Sequence, residues 1–386
     1  MNQAEFSETF PNCLHMITKS NSKFKKMSQE PPPTHTEKVN DCKRTNTRQL
    51  LNIPTRKLRW LVKNAAPIPD LPLETHGRIP INGTTALTVA SRIEECLRKR
   101  SIDVEFNADA AQAKCKTENF VIYKIYLYQG VVKKNTIIVE VQRWKGCGIE
   151  FIHERNVIFS AAKGFGIDDF AFPAHNTKPL VNTEVWADMY APIQDSELRN
   201  VFNISVNQLG LKCRNIQLFA LQCLVNISNT KEMQNETARQ ISQYILNNDE
   251  LLKRIIYLIH QDLQRKKRDD IEEQICLLSL QVLFNILHSM SESKRNPLKM
   301  MKANESSYLC LADILIEEIK HDEVPHIACL ATKCLASLSK ISNELRNEAC
   351  ERNIIAVLQQ ARIIGHSCHF NLEKESVKAM SAILGA

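Results

Sequence analysis

The sequence lacks any apolar run near the roughly 18–20 residues that span a bilayer, although 44% of its 386 residues are apolar. Its first residues include Glu5 and Glu8 and contain no apolar core region, so no cleaved secretory signal is expected. No CxxC pair occurs among the thirteen cysteines, which leaves a zinc ribbon, a zinc finger or a thioredoxin-like site without support. There is also no P-loop, no GxSxG and no HExxH. Gly146-Cys147-Gly148 and Gly164-Phe165-Gly166 are too short to cradle a phosphate and read as turns. His366-Ser367-Cys368-His369 offers metal-ligand types, but a structural metal usually needs four ligands at compatible spacing, and the run reads as a loop between helices. These absences argue against an enzyme, a cofactor and a metal. A Cys–His arrangement without a family signature is the one route left to an unrecognised enzyme.

What is present speaks of cores and of uneven charge. Most cysteines sit inside apolar helical patterns, as Cys223 and Cys276 do. Reduced, buried thiols look like this, so an intracellular protein, cytoplasmic or nuclear, is expected. The net charge of +7 divides into +6 over residues 1–83, +4 over 84–165, −4 over 166–196 and +1 over 197–386. Any attraction to polyanions belongs to the N-terminal half. The length suits two domains and tails.

Residues 1–77 read as a disordered basic tail, with Pro31-Pro32-Pro33 and a Lys-rich stretch that lacks any period. Residues 55–63 are an exception. They mix bases with Leu58, Trp60, Leu61 and Val62, a pattern that suits a membrane surface or an acidic groove, or a short element docked on its own domain.

Residues 78–165 read as an α+β domain. Ala86, Val89/Ala90, Ile93 and Cys96/Leu97 make one helical stripe behind cap residues at 82–85. Arg98-Lys99-Arg100 ends it, where cations suit the macrodipole. Alternation then predicts strands through Ile102 to Phe106, Ala111 to Cys115, Val121 to Leu127 and Ile137 to Val141, with a turn at 129–135. Ile149 and Phe151 suggest a short last strand. Val157, Ile158, Ala161 and Ala162 suggest a closing helix stopped by Gly164. About five antiparallel strands with helices on one face account for the alternation.

This segment, about residues 84–165, resembles the kinase-associated C-terminal domain found at the end of several Ser/Thr kinases of the microtubule-affinity-regulating and related groups. The resemblance rests on the opening helix, on Lys114-Cys115-Lys116, on Val-Glu-Val-Gln-Arg at 139–143, and on Gly146 followed by Ile149-Glu150-Phe151. It implies binding of anionic phospholipid head groups, or docking on a kinase. The chain has no Gly-rich kinase loop, HRD or DFG signature, so docking in trans is the form open to it.

Residues 166–196 form an acidic connector, and Phe170, Phe172 and Trp186 suggest that it is partly packed. Beyond it a motif recurs. Residues 220–228 (Ala-Leu-Gln-Cys-Leu-Val-Asn-Ile-Ser) align with 279–287, 331–339 and 376–384, at spacings of 59, 52 and 45. Helical repeats of about 40–47 residues mark armadillo and HEAT arrays, so residues 197–386 are expected to form an all-α right-handed solenoid of that type. A second amphipathic helix precedes the later copies, at 251–259, 311–319 and 354–362. Inserted loops are expected near 265–270 and 289–307. Leu224, Leu283, Leu335 and Met380 would fill the shared core.

Two sets of residues are candidate binding sites. Arg98, Lys99, Arg100, Lys114, Lys116, Lys133, Lys134, Arg143 and Lys145 form an anion or phospholipid site if they share a face, and a solvated face paired with Glu118, Glu140 and Glu150 if they do not. Nucleic acid would use the same charge. The first two motif copies resemble the last helix of an armadillo repeat, in which the Asn position often contacts an extended peptide. Asn226 and Asn285 match that position, while Ser337 and Ala382 depart from it. The alternative is that both asparagines bond to backbone or to a neighbouring repeat. The expected function is a non-catalytic scaffold or adaptor. It would hold a protein partner on the helices and an anionic membrane or a kinase-like partner on the α+β domain. A nucleic-acid-binding protein is the alternative.

Overall fold

Alternating residues in 103–145 build the sheet that organises the N-terminal half. The computed structural model describes residues 59–69, 77–130, 136–165, 195–229, 235–261, 268–291, 305–321, 324–349 and 352–385. Strands β1 (Ala66–Pro67), β2 (Arg78–Asn82), β3 (Asp103–Asn107), β4 (Gln112–Lys116), β5 (Ile122–Gln129) and β6 (Thr136–Lys145) lie in the order β2-β6-β5-β4-β3. All neighbours in that order are antiparallel, and the two-residue β1 adds to β5 in parallel. One face carries Ala113, Cys115, Tyr123, Ile125, Leu127, Ile137, Val139 and Val141, all buried. Helices α1 (Ala86–Lys99) and α2 (Gly148–Lys163) supply the rest of that core through Val89, Ile93, Leu97, Ile158 and Ala162. Thr85 caps α1 by accepting the Thr88 N–H, and Gly164, at φ 93°, ends α2. That backbone region favours glycine.

Three expectations change here. Ile149 and Phe151 are not a last strand but the first turn of α2, and two strands were not expected: the two-residue β1 and β2, whose short Arg-Ile-Pro-Ile-Asn run has little alternation to read. The tail drawn to residue 77 includes ordered chain. Trp60 and Val62 are buried in the α+β core, and the Trp60 ring stacks on Phe106 at 5.6 Å while the Trp60 backbone N–H donates to Glu94 at 3.0 Å. Within residues 55–63, docking on the same domain therefore describes Trp60 and Val62. Leu58 lies outside the described residues, as do residues 1–57 and nearly all of the 166–196 connector, including Phe170, Phe172 and Trp186.

The C-terminal half is helical throughout its described residues: α3 (Asp195–Leu209), α4 (Arg214–Ser228), α5 (Asn235–Asn247), α6 (Asp249–His260), α7 (Asp270–Ser291), α8 (Glu305–Lys320), α9 (Pro325–Ile341), α10 (Asn343–Glu348), α11 (Ile354–Cys368) and α12 (Phe370–Leu384). The chain is thus of mixed α+β type. The four copies of the recurring motif fall on α4, α7, α9 and α12, and each of these helices packs on the next. Leu224, Leu283 and Leu335 are buried in one continuous core, and Met380 packs against it. The backbones of α11 and α12 approach so closely that a Cβ on Gly365 would lie 2.3 Å from the Glu373 nitrogen.

Helix α7, at 22 residues, is long and apolar enough to cross a membrane by length and composition. It is also the central core helix, and 67% of its most apolar stretch is buried inside the protein. Arg268, in the stretch expected to be an inserted loop, forks onto Glu318 of α8 at 2.6 and 2.9 Å, and the Glu318 carboxylate is fully buried. A buried carboxylate needs such a partner.

Candidate functional site: a basic and apolar corner, and the joint behind it

Among the described residues, the bases of the α+β half do not converge on one face. Arg98 forks onto Glu95 at 2.9 and 3.0 Å, and Lys99 sits 3.7 Å from the same carboxylate. Arg98 holds the Glu95 carboxyl below its ordinary range through that hydrogen bond. Arg100 pairs with the buried Glu154 across α1 and α2. Lys114 lies 3.5 Å from Glu105 on the outer sheet face. Lys133 and Lys134 lie outside the described residues. Of the three acids expected as partners, Glu118, Glu140 and Glu150, none forms an ion pair with these bases among the described residues. Glu140 is instead buried on the outer sheet face, where one oxygen accepts from Gln142 at 3.1 Å. Burial, with Glu140 beside it, pushes the Tyr128 hydroxyl up to about 12.

Several bases reach the helical half instead. Lys116 places its ammonium 2.6 Å from both oxygens of Glu273 on α7, with both side chains largely buried. Lys145 lies 3.7 Å from Asp270, and Arg98 lies 3.9 Å from Glu373 and donates to the His366 carbonyl at 3.3 Å. Asn371 N–H donates to Ser101 Oγ at 2.8 Å. His326 at the start of α9 contacts the Lys116 carbonyl at 3.2 Å. These contacts form a polar joint between sheet and helices, and much of the basic rim is engaged in it.

One corner is left with cations and apolar groups facing water. Strand β6 leaves the sheet at Lys145, turns through Gly146 and enters α2 at Gly148. Gly146 has φ 101°, and a Cβ there would come within 2.7 Å of the Phe120 carbonyl. Only glycine suits a turn this tight. The turn presents Trp144 at 65% exposure, Ile149 at 81% and Ile152 at 48% within nine residues. Lys124 from β5 lies 4.0 Å above the Trp144 ring, a cation–π contact. Arg143 folds back to donate to the Gly146 carbonyl at 3.1 Å. Next to this corner, Glu105, Phe106, Asn107, Gln112, Lys114, Lys124 and Trp144 line a shallow cleft of about 400 Å3.

Trp144, Ile149, Ile152 and Lys124 belong to no site in the sequence reading. Trp144 was legible: Ile137, Val139 and Val141 set the buried parity of β6, so residue 144 falls on the other face. Ile149 was not, because its helix begins where a strand was expected.

Asn226 and Asn285 part company. Asn226 is exposed and accepts from Gln222 at 3.2 Å. Asn285 is only 7% exposed; its amide donates to the Val225 carbonyl at 3.3 Å and to Ser228 Oγ at 3.0 Å, both on α4. An amide held in this way ties α7 to α4 and is not presented to a peptide. His366 stands in the last turn of α11 and His369 caps both α11 and α12, so the run at 366–369 is the tight junction of two helices. Among the described residues no group of three or more His, Cys, Asp or Glu could hold a metal ion.

Burial pushes the Cys96 thiol up to about 11 and the Cys329 thiol up to about 12. No protein-family model, curated protein or solved structure matches the chain.

Proposed function

We propose that the chain is a non-catalytic, membrane-directed scaffold. Its helical half is an armadillo/HEAT-type right-handed solenoid that holds a protein partner. Its α+β half sets the β6–α2 corner against an anionic phospholipid surface. The observation that carries the lipid reading is the corner itself: an exposed Trp with Lys124 over its ring, the exposed Arg143 before it, and two exposed Ile side chains at the start of the helix that follows. Apolar groups that enter the headgroup boundary and cations that meet anionic lipid are the two ingredients of interfacial binding. An indole suits the boundary because it is apolar with one polar edge. Each base near such a surface adds about 1 kcal/mol.

The solenoid reading is supported by the placement of the four motif copies on helices that pack in succession. Stacked helix pairs share one core in that way. The likeness to kinase-associated C-terminal domains supports the same lipid assignment. Docking of the corner on a kinase-like partner is the other outcome this likeness allows.

Co-sedimentation of the full chain with phosphatidylserine-containing and with neutral vesicles, at low and high salt, tests the proposal. Binding to anionic vesicles is expected, weakened by salt and reduced at least tenfold by Trp144→Ala with Ile149→Ser. Absence of binding to either vesicle would sink the lipid role and leave the corner as a protein-docking surface.

A further inference from the structure

Two buried histidines link the sheet to the helices through a hydrogen-bond chain that runs in one direction. His326 is 4% exposed and His369 is 2% exposed. His369 Nδ1 lies 3.1 Å from the Leu372 backbone nitrogen, and His369 Nε2 lies 3.1 Å from His326 Nδ1. His326 Nε2 lies 3.2 Å from the Lys116 carbonyl on β4.

The two ends fix both tautomers independently. A backbone N–H only donates, so His369 Nδ1 is an acceptor and its proton is on Nε2. A carbonyl only accepts, so the His326 proton is on Nε2 and its Nδ1 is bare. The middle contact then holds one hydrogen, donated by His369 to His326. Every nitrogen in the chain is satisfied when both rings are neutral, and in no other state. A proton added to His326 Nδ1 would face the N–H of His369. A proton added to His369 Nδ1 would face the N–H of Leu372 and remove the cap of α12.

We propose that the His326–His369 chain is a pH-sensitive latch that holds the sheet on the helices while both rings are neutral and releases it when either takes up a proton. Three further features oppose a charge at this place. His369 caps the N-terminus of α12, and His326 stands in the first turn of α9, beside Pro325. The positive ends of both helix dipoles therefore face the pair. Burial, then His326, then Lys333 of α9 hold the His369 ring well below its ordinary range.

The charged groups around the pair do not reverse this. Lys116 is bound to Glu273 of α7, Glu375 and Lys378 of α12 pair with each other at 2.8 Å, and Glu118 follows β4 as an exposed side chain. Arg98 of α1 and His366 of α11 both face Glu373. For a ring held neutral, the opened chain takes up the proton first. The latch is therefore fully effective above about pH 7.5 and weakens as pH falls through about 6.5.

Hydrogen exchange of the full chain, corrected for the intrinsic pH effect, reads the latch directly. Between pH 7.5 and 5.5, protection of residues 112–118 and 366–376 is expected to fall about tenfold as His369 takes up a proton in the opened state, while that of Tyr123 to Leu127 holds. The double variant His326→Gln, His369→Asn should show no such fall. Equal protection at both pH values in the native sequence, or an equal fall in the variant, would overturn the proposal. Histidine ring NMR of the native sequence decides the matter even if the variant does not fold. A His369 ring that stays neutral in the folded protein down to about pH 5.5 supports the latch, and its titrating near 6.5 with the joint intact refutes it.

Discussion

The two halves of the molecule solve the same burial problem in different ways. In the α+β half, β3 to β6 pair in chain order, but one edge is closed from afar: β2 pairs with β6, and Trp60 stacks on Phe106. In the helical half, α4, α7, α9 and α12 touch in chain order, and their polar core groups bond across adjacent turns or to the next helix, as Asn285 does to α4. The difference shows in how each half handles charge. The α+β half gives several of its bases to acids of the helices, and the helices meet them with Glu273, Asp270 and Glu373. A net positive domain can therefore have little free positive surface, because docking uses it.

The tightest point of each half gives the largest predicted effects. Gly365→Ala should destabilise by about 3 kcal/mol, since the new Cβ meets backbone rather than a side chain that can swing away. Gly146→Ala should cost a similar amount in the α+β half, where crowding and a left-handed backbone add together. Chemical denaturation monitored by circular dichroism checks both. Residues Lys57–Ala386 form one compact unit, so each variant should shift a single transition. Two separate transitions would mean that the halves unfold independently.

Breaking the joint comes next. Glu273→Gln should remove about 2 kcal/mol, less than for a fully buried pair because the Lys116 side chain keeps some contact with water. A double-mutant cycle with Lys116→Met would return most of that loss if the pair itself is responsible. The Asn pair sharpens the contrast at the smaller end. Asn285→Ala should cost about 1–2 kcal/mol because it strands the Val225 and Ser228 partners. Asn226→Ala, on the surface, should stay within about 0.5 kcal/mol. Equal losses would show that the two positions are equivalent after all. Trp144→Ala is expected to leave stability nearly unchanged while it weakens vesicle binding.

Much of the fold could be read from residue order alone. Ala86 to Leu97 makes a single stripe under any helical winding, and the residues at 121–127 and 137–141 make single faces under any strand pairing, so α1, β5 and β6 were legible. The four copies of the nine-residue motif located α4, α7, α9 and α12 for the same reason: their periods are local properties. Ile149 and Phe151 misled because two alternating apolar residues fit a strand as well as the first turn of a helix. Trp60 was ambiguous because a lone indole among bases suits a membrane as well as a core.

Sequence by itself determined which residues are apolar, with what period, and where charge accumulates, because these depend only on near neighbours along the chain. Only tertiary structure decided that β2 closes one edge of the sheet, that Lys116 meets Glu273 from 157 residues away, and that His326 meets His369. It also decided which cations remain at the β6–α2 corner. Pairings of this kind depend on which surfaces meet once the cores are buried, and no local period encodes them.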